Sequence, residues 1–278
     1  MRREAQREAS PKGTAILIGG AEQKTGECVV LREIARRAGA SRLALCTAGS
    51  VIAKELLGVY SDAFGELGVK RVDHIPVRNR EDADAPALAA AVSKASVFFF
   101  TGGDQLRITS LIGGTRLWTA ILDLFKRGGT VAGTSAGASA LGETMPMSAE
   151  ADEHKMAAAA HLLPALGLLG NVIVDQHFAQ RGRMGRLIAG VAENPRVLGL
   201  GIDEDTALIW TRGSFRVIGS GAVYVVDGRN VSRSNLGRGP SHHAISVFDV
   251  RLHVLSHGDC FESNARRPVP GGGSLRRD

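Results

Sequence analysis

VAGTSAGASAL, residues 131–141, sets glycines and serines among small side chains directly behind an apolar run. Small residues concentrate where backbone must turn sharply or pack closely, and here an apolar strand pattern meets a helical one. Gly133-Thr134-Ser135-Ala136-Gly137 fits G-x-S-x-G, the elbow in which a strained strand-to-helix turn lifts a serine hydroxyl above a sheet. A helix starting near Ala136 would aim its amino end at that serine, with the Ala136 amide free to donate to an oxyanion. A small-residue turn without chemistry is the plainer reading of any five-residue match. The strand before it and the helix after it favour a nucleophile.

Outward from the elbow, apolar runs alternate with helical patterns in the manner of βαβ units. TAILIGG (14–20) reads as a short buried strand ending in glycines, and ECVVLREIARRAG (27–39) repeats apolar residues at three-and-four spacing before a glycine stop. RLALCTA (42–48) precedes AKELLGVYSDAFGELG (53–68), RVDHIPV (71–77) precedes APALAAAVSKA (85–95), and SVFFFTGG (96–103) precedes a helical stretch through TRLWTAILDLFKRGG (115–129). Strands apolar on both faces belong to a parallel sheet covered by helices. NVIVDQHF (171–178), RVLGLGID (196–203), TALIWT (206–211), SFRVIG (214–219), GAVYVVDG (221–228) and AISVFDVRLHVL (244–255) are shorter and turn-rich, and read as antiparallel additions at the C-terminal edge. The expected fold is α/β, a three-layer sandwich with a mostly parallel central sheet flanked by helices. No linker interrupts residues 13–263, which read as a single catalytic domain between basic tails at 1–12 and 264–278. A domain of this size buries roughly 75% of its unfolded surface, enough for a core without staples.

The formal charge of +6 invites a nucleic-acid reading, but residues 1–12 carry a net +2 and residues 264–278 a net +3, leaving +1 for the body. The tails have almost nothing to bury and read as disordered and solubilising. No aromatic-interleaved basic stripe argues for nucleic acid. Cys28, Cys46 and Cys260 form neither a disulfide framework nor a metal-ligand pattern, which fits a reducing cytoplasm. No secretory signal and no apolar run near the ~20 residues of a membrane span is present, so an unexported protein off the membrane is expected.

Ligands of open parallel sheets sit at the carboxyl ends of the strands, so GGAEQ (19–23), TGGDQLR (101–107), GTSAGAS (133–139) and DQHF (175–178) are the loops of interest. GGAEQKTGE (19–27) lacks phosphate-binding spacing, and nucleotide binding is not indicated. Gly102-Gly103-Asp104 is the best second source of an oxyanion donor. Among the histidines, His74 lies within a strand-like run, and His154 and His161 lie in an alanine-rich stretch that reads as helix surface. His253 and His257 alternate like strand residues, which weakens a zinc-on-helix reading. His177 differs: it follows an apolar strand immediately, flanked by Asp175, Gln176 and Phe178.

TGGDQLR, GTSAGAS, DQHF followed by RGRMGR (181–186), and GIDEDTAL (201–208) together resemble the cyanophycinase family, serine peptidases related to aspartyl dipeptidases on a class I glutamine amidotransferase-like sheet. The likeness runs from about residue 13 to 230, with the motifs in order. By that resemblance Ser135 is the nucleophile, His177 the general base and Glu204 the residue orienting the imidazole; the residues alone leave Asp203, Asp205 and Asp175 open. Gly103 and Ala136 would supply the oxyanion hole. The implied substrate is cyanophycin, a poly-aspartate chain with arginine on each side-chain carboxylate, cut to β-Asp-Arg without metal or other cofactor. Arg181, Arg183 and Arg186 would meet its carboxylates, Asp175 or Asp104 its guanidinium, and Gln105 and Gln176 would add neutral hydrogen bonds. Each arginine also fits a solvated helix face. Related enzymes imply a homodimer. The rivals are an aspartyl or isoaspartyl dipeptidase of the same fold, an esterase taking its base from His253 or His257, and a catalytically silent binding protein.

Overall fold

The structure, a computed structural model, describes residues 12–146, 162–236 and 245–271. The chain opens with the wholly buried β1 (Thr14–Ile18) and α1 (Val29–Ala38), whose inward stripe is Val30, Leu31, Ile34, Ala35 and Ala38. The alternation continues through β2 (Arg42–Cys46), α2 (Ala53–Glu66), β3 (Arg71–Ile75), α3 (Arg80–Asp84) and α4 (Pro86–Ser93). Asn79 caps α3 by accepting from the Asp82 amide, and Pro86 opens α4, where its missing N–H has no intrahelical partner to lose. β4 (Val97–Phe100), α5 (Gln105–Ile112), α6 (Arg116–Lys126) and β5 (Thr130–Thr134) complete a parallel set in the order β3-β2-β4-β5-β1, and β5 runs into the short elbow helix α7 (Ala136–Ser139).

β4 shows why this sheet lies inside. Phe98, Phe99 and Phe100 are all 0% exposed; Phe98 and Phe100 pack with α5 and α6, and Phe99 packs under α1 and α2 on the opposite face. Successive strand residues face opposite ways, so an unbroken aromatic run requires cover on both sides.

The second half of the chain divides between two large sheets and a separate two-stranded one. It comprises β6 (Thr144–Pro146), β7 (Leu162–Pro164), β8 (Val172–Gln176), α8 (Met184–Glu193), β9 (Leu198–Ile202), β10 (Thr206–Thr211), β11 (Ser214–Gly219), β12 (Val223–Asp227), β13 (Arg233–Ser234), β14 (Val247–Phe248), β15 (Arg251–Leu255), β16 (Cys260–Glu262) and β17 (Arg267–Val269). Beyond β1, the strands β10, β11, β16 and β17 extend the first sheet antiparallel, as expected for its edge. NVIVDQHF and RVLGLGID do not join them. They form β8 and β9, parallel neighbours in a second sheet ordered β15-β12-β9-β8-β6-β7, which also takes GAVYVVDG as β12, antiparallel to β9, and the end of AISVFDVRLHVL as β15, antiparallel to β12. One face of this sheet, including Val174, Leu200 and Val225, shares an apolar cluster with Leu17, Leu208 and Val217 of the first. It therefore takes the place of helices as cover there. Its other face is closed by Leu187 and Val191 of α8 against Ile173 and Val226. Gly199 makes that contact possible, since a Cβ would stand 2.7 Å from a Val191 methyl.

The expected start of a tail at residue 264 is also corrected. β17 pairs with β16, and Arg266 is buried, donating to Asp227 at 2.6 Å and to the Arg196 carbonyl. Arg229 holds the other Asp227 oxygen at 3.0 Å. Covering the open end of the second sheet gives this arginine a structural use that a tail would not. The expected tail segments 1–11 and 272–278, like His154 and His161, lie outside the described residues.

Burial alone would raise the Asp227 carboxyl, but hydrogen bonds from the Arg229 amide and side chain and from Arg266 hold it below the usual range. A carboxyl lowered on folding stabilises the native state above its unfolded pKa of about 4, and that contribution disappears as pH falls through the folded value. Arg266→Ala is expected to lower the unfolding free energy in urea at neutral pH by about 3 kcal/mol. Its acid-unfolding midpoint should move to higher pH than that of the wild type.

Candidate active site

Ser135 sits at φ 53°, ψ −120°, a conformation that costs a non-glycine residue about 1–3 kcal/mol and persists only when its surroundings impose it. The surroundings are specific. The Ser135 amide donates to the Ile18 carbonyl at 2.9 Å. A Cβ on Gly133 would lie 2.3 Å from the Gly137 oxygen, and one on Gly137 would lie 2.7 Å from the Phe100 oxygen, so both elbow glycines are required by crossing backbone. The loop after β4 comes alongside: a Cβ on Gly102 would stand 3.2 Å from that of Ser135, and Gly103 turns at φ 135° against the Gly49 carbonyl. Ala136 opens α7, where first-turn amides have no intrahelical acceptor.

His177 arrives from the other sheet, directly beyond β8. Its Nε2 lies 3.0 Å from Ser135 Oγ and its Nδ1 lies 2.6 Å from Glu204 Oε1. An ionised carboxylate can only accept, so Nδ1 carries the proton and Nε2 is left to accept from the serine. Gln176 Oε1 is a second, longer acceptor for the same hydroxyl at 3.3 Å. Of the four carboxylates open in the sequence, only Glu204 meets the imidazole. Asp203 accepts from the Ala179 and Ala222 amides, Asp205 from Gln23 and Ser220, and Asp175 from arginines. His253 and His257 are engaged elsewhere: the first ring lies 5.7 Å from that of Phe261, and His257 Nδ1 accepts from the Gly219 amide.

These groups meet through a loop that the sequence left without a role. The successive carbonyls of Ile18, Gly19 and Gly20 accept from the amides of Ser135 at 2.9 Å, His177 at 2.8 Å and Asp205 at 2.8 Å. Gly20 turns beside the His177 ring at φ 102°, and a Cβ there would fall 2.4 Å from the imidazole. The glycine pair of GGAEQ was the signal that could have pointed to it.

The expected substrate contacts fall out unevenly. Asp104 caps α5, accepting from the Leu106 amide at 2.8 Å, and also lines a cleft of about 520 Å³ beside Ser135. Gln105 is buried, with its amide on the Pro146 carbonyl. Asp175 is not placed to face a substrate guanidinium: it is 0% exposed and already held by Arg186 at 2.6 Å and Arg183 at 3.4 Å. Arg183 is buried as well and donates to the Gln176 carbonyl at 2.7 Å, fixing the strand end that carries His177. Arg186 is half-buried on Asp175, and Arg181 is exposed.

Comparisons with known proteins identify the family. The sequence profile of peptidase family S51 matches residues 15–218. A cyanophycinase of Synechococcus elongatus is 38% identical over 254 residues, covering 90% of this chain and 79% of the relative. One from Trichormus variabilis is 36% identical over 263 residues, covering 93% and 88%. In fold, the chain is similar to the crystal structure of a peptidase from an acI-B1 Actinobacterium, with a TM-score of 0.68 at 22% identity over 90% of this chain and 96% of that one.

The contact between Gly20 and the imidazole yields a direct test. Gly20→Ala is expected to slow labelling of Ser135 by a fluorophosphonate by about 100-fold through displacement of the ring. Circular dichroism should show the fold retained.

Proposed function

The chain belongs to peptidase family S51, and on that premise we propose that it is a serine exopeptidase degrading cyanophycin to β-Asp-Arg dipeptides. The observation that carries the reading is the unbroken chain of hydrogen bonds Ser135–His177–Glu204, at 3.0 and 2.6 Å, on a strained elbow. Ser135 attacks the backbone carbonyl while His177 takes its proton and Glu204 steadies the imidazolium that forms. The amides of Ala136 and Gly103 receive the developing oxyanion. His177 then returns its proton to the leaving amine, and water, activated in turn by His177, hydrolyses the acyl-enzyme.

Each unit of the polymer presents a guanidinium and a free carboxylate. Arg181 is the exposed guanidinium available to the carboxylate, Arg186 being engaged on Asp175, and Asp104 on the cleft wall is the acidic group available to the arginine arm. Arg183 and Asp175 act as internal support for this surface, and Gln176 contributes a polar contact beside the hydroxyl. Two features support a homodimer in the cytoplasm. β15 ends the second sheet among the described residues with Leu252 and Val254 exposed, a surface suited to a second copy. The three cysteines are free and buried. No described helix is long and apolar enough to cross a membrane.

Incubation with insoluble cyanophycin tests the reading through clearance and the masses of soluble products. The wild type is expected to release β-Asp-Arg, Ser135→Ala and His177→Ala to lose about 10⁴- to 10⁶-fold in turnover, and Glu204→Gln about 10⁴-fold. Equal clearance by Ser135→Ala would reduce the elbow to a turn; no clearance by the wild type would overturn the substrate.

A further inference from the structure

Glu22 is a buried carboxylate that the reaction scheme does not use. It is 1% exposed, two residues beyond the glycine that backs the imidazole. Its Oε1 accepts from the Tyr60 hydroxyl of α2 at 2.5 Å, and its Oε2 accepts from the Thr134 hydroxyl at 2.7 Å. Thr134 is the last residue of β5 and the immediate neighbour of Ser135. Lys24 lies 3.4 Å from the same carboxylate, donates to the Glu22 carbonyl at 2.8 Å, and sits 5.2 Å over the Tyr60 ring. Burial and the adjacent Glu22 charge push the Tyr60 hydroxyl well above its usual range, so it remains a donor.

The loop that Glu22 anchors needs an anchor. Gly20 and Ala21 both take positive φ, at 102° and 50°, and such a run is maintained only by contacts that outweigh its strain. The end of β1 and this loop carry the three carbonyls that receive the Ser135, His177 and Asp205 amides. We propose that Glu22 is a positioning residue, tying the loop after β1 to Thr134 and Tyr60 and thereby setting the distance between the serine and the imidazole. Its effect runs through alignment, so it changes the rate at Ser135 and leaves substrate affinity largely alone. A misplacement of about 1 Å at such a pair costs on the order of 100-fold.

This inference rests on Ser135 and His177 being the reacting pair, so its test carries a separate control. Wild type, Glu22→Gln, Tyr60→Phe and Ser135→Ala are titrated with a small fluorophosphonate, reading the number of labelled sites and the rate per site, alongside kcat and KM on cyanophycin. Glu22→Gln should label fully but roughly 10- to 100-fold more slowly, with kcat falling in step and KM within about 2-fold. Tyr60→Phe, which removes one of the two hydrogen bonds, should show a smaller loss of the same kind. Fewer labelled sites at an unchanged rate per site would mean that Glu22 only supports folding and would overturn the proposal, as would a change confined to KM. Labelling or turnover retained by Ser135→Ala would instead sink the catalytic reading, whatever Glu22→Gln does.

Discussion

Three consecutive carbonyls hold the site together. Ile18 ends the central strand β1 and Gly19 and Gly20 continue it, and each takes an amide from a different segment, at Ser135, His177 and Asp205. Buried backbone groups must be paired, and here the pairing does more than satisfy them. It joins segments 42 and 27 residues apart, measured from Ser135 to His177 and from His177 to Glu204, into one constellation. The requirement for glycine at position 20 follows, because the imidazole occupies the space a side chain would need.

The Ser135–His177–Glu204 arrangement lies at the seam of two sheets. Ser135 stands at the end of β5 in the first, His177 at the end of β8 in the second, and Glu204 in the turn where the chain crosses from β9 to β10. Packing of the two sheets on a shared apolar cluster therefore helps set the distance between the serine hydroxyl and the imidazole. Asp203 reinforces the seam, accepting from the amides of Ala179, two residues beyond His177, and of Ala222 at the head of β12.

Two buried carboxylates among the described residues are ion-paired with arginines. Asp175 with Arg183 and Arg186, and Asp227 with Arg229 and Arg266, each surround one carboxylate with two guanidinium groups. Removing one partner from such a set leaves a desolvated charge, which makes these arrangements rigid even where they add little net stability. Arginines beside a histidine suggest substrate contacts in a sequence, yet Arg183 is spent on holding the strand end from within.

The sequence by itself determined the alternating strands and helices of the first half, the elbow and the polar strand end at His177. Each depends on local rules: period, glycine spacing and the position of a polar residue after an apolar run. Nothing local separated Glu204 from Asp203 and Asp205, since three neighbouring acids in a turn differ only in where the turn aims them. Nor did it reveal that β8 and β9 leave the first sheet, because strand pairing is a property of distant partners and the same apolar runs suit either sheet. Arg266 and Asp175 were misjudged for a related reason: burial of a charge depends on a partner that lies 39 residues away for Arg266 and 11 for Asp175. Tertiary structure alone decided the loop after β1, where a glycine, a buried glutamate and three carbonyls acquire a role only once the segments they touch have been brought together.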